Sequence, residues 1–144
     1  MWQTLIAVIG TLAGVGITSG YQARAARTAR QEARHTEGLT AVTTLVEALA
    51  DHRRAMWVRE DLRLRGEDWA DARTASHATR SAITAPLLRV QLLMPAVATA
   101  AQNAAQATYD LRGADGHQVL TGLRTRALTA SDALVTAVGR HLAA

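Results

Sequence analysis

The chain opens on an apolar segment and then changes rhythm. From Trp2 to Gln22 no side chain is charged, whereas beyond Arg24 apolar residues recur every three or four positions among arginines and carboxylates. A helix rising about 1.5 Å per residue crosses roughly 30 Å over the first stretch, the thickness of a bilayer's hydrocarbon core. The pattern therefore predicts a transmembrane helix over residues 1–23. Trp2 and Tyr21 stand at its ends, where amphipathic aromatics favour the interface. A cleavable signal peptide fits less well, because the basic leading region is missing and Ala23-Arg24-Ala25 is a poor cleavage site.

Four glycines fall between residues 10 and 20 of this segment, in GTLAGVGITSG. In lipid a helix keeps its backbone bonds internal, so glycine costs little, and small residues let two helices approach closely. At 100° per residue Ala7, Gly10, Ala13, Gly14, Ile17 and Gly20 gather on one side, opposite Leu5, Val8, Leu12 and Val15. Gly10 with Gly14, and Gly16 with Gly20, match the small-xxx-small pattern of helix pairs, and Thr11 and Thr18 can hydrogen-bond across one. The expectation is a helix–helix interface on the glycine side and a homo-oligomer.

A basic juxtamembrane helix is expected over residues 24–37, and a bundle of about four helices over 38–144. Leu39, Val42, Val46, Leu49 and Met56 step as one face of an amphipathic helix that runs to about Arg65, with Gly66 closing it. Gly38 is a candidate hinge or a tolerated helix glycine. The next helix starts among acidic residues and runs through Ala75, Ala78, Ala82 and Ile83 toward Pro86, which is expected to kink or restart it. LLRVQLLM follows, with Arg89 expected at a solvated rim and Gln91 a candidate buried partner. Pro95 opens a helix ending at Gly113, and the last covers about 116–142, with Leu120, Leu123, Ala127, Leu134 and Val138 inward. The fold class expected is all-α, with a single transmembrane helix continuing into this bundle.

Charge changes the picture mainly through where it sits. The formal net charge is +4, and residues 22–35 hold four arginines and one glutamate, so they account for +3 of it. With Arg24, Arg27, Arg30 and Arg34 directly after the apolar segment and no Lys or Arg before it, the positive-inside bias places the N-terminus outside and residues 24–144 in the cytoplasm, at the inner membrane. The same four arginines suit anionic lipid headgroups, at about 1 kcal/mol each near the surface, or other phosphates. Beyond residue 35 twelve arginines face eleven carboxylates, an ordinary solvated surface, which disfavours direct DNA binding without excluding it. There is no cysteine, which removes disulfides, thiolate catalysis and thiolate metal sites.

Candidate chemistry is sparse. His35, His52, His77, His117 and His141 match no recognised ligand spacing. Asp51 and His52, or Ser76 and His77, are adjacent, and adjacent helix residues do not face each other. Glu47 and Asp51 are one turn apart, but Arg53 and Arg54 make a surface ion network the simpler reading. Gly113-Ala-Asp-Gly116 lacks the lysine and the preceding strand of a phosphate-binding loop. No enzyme, cofactor or metal is expected.

The QARAAR run at 22–27, DHRRAMW at 51–57 and RVQLL at 89–93, behind a single N-terminal span, resemble the KilB-type proteins of actinomycete conjugative plasmids. That resemblance implies a membrane-associated protein linked to spread of a plasmid within a recipient mycelium, with other plasmid-transfer proteins as partners; it brings no functional residues with it. The expected role is a non-enzymatic, oligomeric scaffold or partner-recruiting module. A membrane-lesion protein of toxin or holin type, and a helical sensor or binding module merely tethered to the membrane, are the alternatives. Against the lesion, the span carries no polar stripe stronger than Thr4, Thr11, Thr18 and Ser19.

Overall fold

A computed structural model describes the backbone of residues 2–144 and the side chains from Tyr21 onward. The described residues are helical, with no strand: α1 (Trp2–Arg65), α2 (Ala70–Leu93), a 3-10 turn (Pro95–Val97), α3 (Ala98–Tyr109) and α4 (His117–Ala143). Two compact units divide the chain, Met1–Thr36 and Glu37–Ala144. In the first, the side chains of 21–36 are all exposed on α1. The expected span over 1–23, with its glycine face Ala7, Gly10, Ala13, Gly14, Ile17 and Gly20, lies outside the residues whose side chains are described, apart from its last three. Among the described residues no single helix is long and apolar enough to cross a membrane.

The second unit is a helical bundle around a continuous core. Ala41, Val42, Leu45 and Leu49 of α1 meet Ile83 and Val90 of α2, Met94, Val97, Ala101, Ala104 and Ala105 around α3, and Leu134 and Val138 of α4. A smaller cluster joins Met56 to Leu111, Ala114, Leu120 and Ala127. Each fully buried Leu or Ile contributes about 1.5–3 kcal/mol, while the many alanines contribute little apiece but let the helices lie close. Leu45, Leu49, Ile83, Leu111, Leu120 and Leu134 are the large anchors. The inward face expected for the last helix is found, with Leu123 half-buried.

Gly66 ends α1 by its backbone. Its φ is +71°, its N–H donates to the Arg63 carbonyl at 3.1 Å, and the Glu67 N–H reaches the Leu62 carbonyl at 3.0 Å. This crossed pair of bonds is the Schellman arrangement, for which a left-handed glycine is the least strained residue. Gly38 has a different role. It is buried inside α1, and a Cβ there would stand 2.9 Å from Met94 Cγ, so it is neither a hinge nor a neutral position but a point of close approach.

Two expectations for α2 are corrected. The helix neither stops nor restarts at Pro86 but continues to Leu93, with Pro86 buried beside Ile83 and Val90. An internal proline gives up one backbone bond and costs about 3 kcal/mol in an exposed helix, and burial of the ring against the core offsets that. Secondly, Ala75, Ala78 and Ala82 are exposed; the inward face runs through Ser76, Ile83, Pro86 and Val90. In an alanine-rich helix the apolar contrast between faces is small, and the inward face is marked instead by Ile83, Pro86 and Val90 together with polar contacts from Ser76 to Arg59 and from Thr79 to His52.

Candidate functional site

The inward stripe of α1 begins apolar and turns polar. After Ala41, Leu45 and Leu49 the same three- and four-residue steps reach His52, Met56, Arg59 and Glu60, all buried. Polar groups on an inward helix face must find partners, because an unpaired buried donor or acceptor costs about 1–3 kcal/mol. Here α2 and the chain around Leu111 to Ala114 supply them.

His52 Nδ1 lies 2.9 Å from Thr79 Oγ1. The Thr79 hydroxyl has a carbonyl to donate to, Ala75 at 3.1 Å or Ser76 at 3.2 Å, so the arrangement is satisfied when Nδ1–H donates to Thr79. The imidazole also meets the Tyr109 ring edge-on, with centroids 5.7 Å apart. Burial, followed by the charges of Arg80 and Arg59, lowers the His52 pKa from 6.5 to about 4. It is neutral at pH 7.

Two turns further on, Arg59 Nη1 donates to Ser76 Oγ at 3.2 Å, and the Ser76 hydroxyl donates to the Arg73 carbonyl at 2.7 Å. Arg59 Nε is buried 3.5 Å from Glu60 Oε1 without a hydrogen bond. Burial pushes the Arg59 guanidinium below its ordinary range; Glu60 opposes this, and Arg112, Arg73 and Arg63 add to it. Glu60 is held by Arg63, whose Nε lies 2.7 Å from Oε2 and whose Nη2 donates to the Ala114 carbonyl. The pair thereby ties α1 to the turn between α3 and α4. Asp61, beside it, takes Arg65 at 2.9 Å and His117 at 3.1 Å.

Guanidiniums and rings interleave around this seam. The Trp69 ring meets both Arg59 and Arg73, at 5.3 and 5.8 Å from ring centre to Cζ. Arg80 stacks on Tyr109 at 3.9 Å, and Arg124 covers Trp57 at 5.0 Å. A recess of about 30 Å³ opens between α1, α2 and the end of α3, lined by His52, Met56, Arg59, Ser76, His77, Arg80, Tyr109 and Arg112.

The other sequence candidates are placed as follows. Arg24, Arg27, Arg30 and Arg34 are exposed on α1, and at 100° per residue they fall within an arc of about 120°. Arg89 is exposed and Gln91 half-buried. Arg54 and Asp51 form an exposed ion pair at 3.2 Å, with Glu47 exposed beside them. Among the described residues no three His, Asp or Glu side chains gather as a metal site would need. Sequence reasoning missed Arg59, Glu60 and Arg63 and found for His52 only that it matches no ligand spacing. The signal was present in the spacing: 52, 56, 59 and 60 continue the stripe of 45 and 49.

The model of the KilB plasmid transfer protein family matches residues 39–142, almost the whole bundle. The chain belongs to that family. Protein KilB of Streptomyces lividans is 58% identical over 147 residues, covering 100% of both chains, so the likeness to KilB extends through the apolar and arginine-rich segments ahead of the bundle. No solved structure matches the chain. The three sequence runs that resemble KilB-type proteins sit on α1 and α2, and DHRRAMW contributes His52 and Met56 to the seam.

Proposed function

We propose that the chain serves plasmid transfer as a membrane-anchored, non-enzymatic component, which assembles through the apolar segment and presents the bundle to partner proteins. Membership of the KilB plasmid transfer protein family supplies the process. The observation that carries the finer reading is the order of features along one helix: an uncharged stretch from Trp2 to Gln22, then four arginines on one side of α1, then the bundle's inward stripe. An apolar helix needs lipid or a partner, and a one-sided arginine cluster beside it suits anionic headgroups. The buried ionisable groups support a structural role for the bundle, since His52 is bonded to Thr79, Glu60 to Arg63 and Arg59 to Ser76, each joining two parts of the fold or neutralising a neighbour.

The N-terminus is placed outside and residues 24–144 in the cytoplasm on the same reasoning. The test is fractionation of full-length protein and of a variant lacking residues 2–23, scored together with plasmid spread in the host. The reading expects full-length protein in the membrane fraction, the shortened variant in the supernatant, and loss of spread with the variant. Equal partition of the two into the supernatant refutes the anchor.

A further inference from the structure

The small recess beside the seam has a charge pattern that neither the fold nor the proposed role uses. Three guanidiniums line it, those of Arg59, Arg80 and Arg112, together with Ser76 and His77, and no carboxylate does. Such a gathering is unfavourable by itself, because like charges in a partly dehydrated site repel. Glu60, outside the lining, lies 3.5 Å from Arg59 Nε through Oε1 and takes Arg63 at 2.7 Å through Oε2, so one carboxylate is shared between two guanidiniums. Arg80 rests on the Tyr109 ring, and the Arg112 guanidinium has no ion pair among the described residues.

A second observation concerns Arg59, which is 8% exposed; its buried Nε has no hydrogen-bond partner, and Glu60 Oε1, likewise unbonded, stands 3.5 Å away. One carboxylate shared between Arg59 and Arg63 leaves the three guanidiniums of the lining short of negative charge. The volume, about 30 Å³, admits a single oxygen-sized group, with the remainder of a ligand at the mouth where Arg80, Arg112 and His77 are exposed. A phosphodiester inside a nucleic-acid strand, substituted on both sides, is badly shaped for such an entry. A terminal phosphoryl group is well shaped for it.

We propose that this recess binds a compact oxyanion, the terminal phosphoryl group of a lipid headgroup or of a free phosphate, between Arg59, Arg80 and Arg112. Binding neutralises the cluster and joins α1, α2 and the end of α3, so the bundle is more stable with the anion than without it.

The test uses full-length protein in an uncharged detergent at pH 7, with thermal unfolding followed against inorganic phosphate and, at matched ionic strength, chloride. Phosphate is expected to raise Tm saturably and chloride is not. Each of Arg80→Gln and Arg112→Gln, at exposed side chains, is expected to weaken the apparent phosphate affinity about tenfold or more. Arg126→Gln, at an exposed arginine that does not line the recess, leaves it unchanged. Short-chain phosphatidic acid distinguishes the two sources: saturation at a lower concentration than inorganic phosphate identifies a headgroup, and saturation at the same or a higher concentration identifies free phosphate. Equal shifts with phosphate and chloride, or a phosphate response unchanged in both recess variants, overturn the proposal.

Discussion

His52 and Thr79 are 27 residues apart and share a 2.9 Å hydrogen bond that joins α2 to α1. The imidazole is 2% exposed and neutral, so the bundle is sensitive to its protonation. Its folded pKa, about 4, lies below the unfolded 6.5, and the unfolded chain therefore binds the proton more readily. Stability from this group is complete above pH 6.5 and is lost as the pH falls toward 4, by about 3 kcal/mol at most. Denaturation of wild type and His52→Gln at a series of pH values checks it: the variant is expected to show a flatter profile between 6.5 and 4.

Glu60 carries the second prediction. Replacing it by Gln keeps the shape but leaves the Arg63 and Arg59 guanidiniums without a counter-charge, and about 2 kcal/mol of stability is expected to go. A double-mutant cycle with Arg63→Ala is expected to return a coupling energy above about 0.5 kcal/mol in urea denaturation. Additive losses would mean that the 2.7 Å contact contributes nothing of its own.

Gly38→Ala sets two effects against each other. Alanine improves helix propensity by about 1 kcal/mol, whereas its methyl would stand 2.9 Å from Met94 Cγ in a filled core, and overpacking costs about 1–3 kcal/mol. A net loss is expected, and it is expected to shrink in a Met94→Ala background, where the space is free. Thermal unfolding of the four proteins checks this.

Gly66→Ala meets no steric obstacle, since nothing lies within 4 Å of the added carbon, yet the residue holds φ +71°. The left-handed backbone costs about 1–2 kcal/mol for an alanine. A Tm lower than wild type by several degrees is the expected result in calorimetry.

How much of this was legible in the sequence varied with contrast. The close of α1 at Gly66 and the inward face of α4 could be read because glycine and leucine stand out among their neighbours. The face of α2 could not, since Ala75, Ala78 and Ala82 look as apolar as Ile83 while Ser76 is the residue held inside. Pro86 does not restart the helix, the second of the two effects expected of it, and its ring packs into the core. The polar seam was hidden for a related reason: Arg59, Glu60 and Arg63 read as solvated surface until the helices that satisfy them are in place. The spacing of His52, Arg59 and Glu60, in step with Leu45 and Leu49, was the signal that went unread, because their polarity argued against burial.

The central proposal is that the apolar segment anchors and assembles the protein through its glycine side. The measurement that tests it most directly is the mass of full-length protein in detergent, by light scattering, beside that of Gly14→Ile. A defined oligomer for the wild type and a smaller species for the variant are the results expected. Wild-type protein that is monomeric, or an oligomer unchanged by Gly14→Ile, would contradict it.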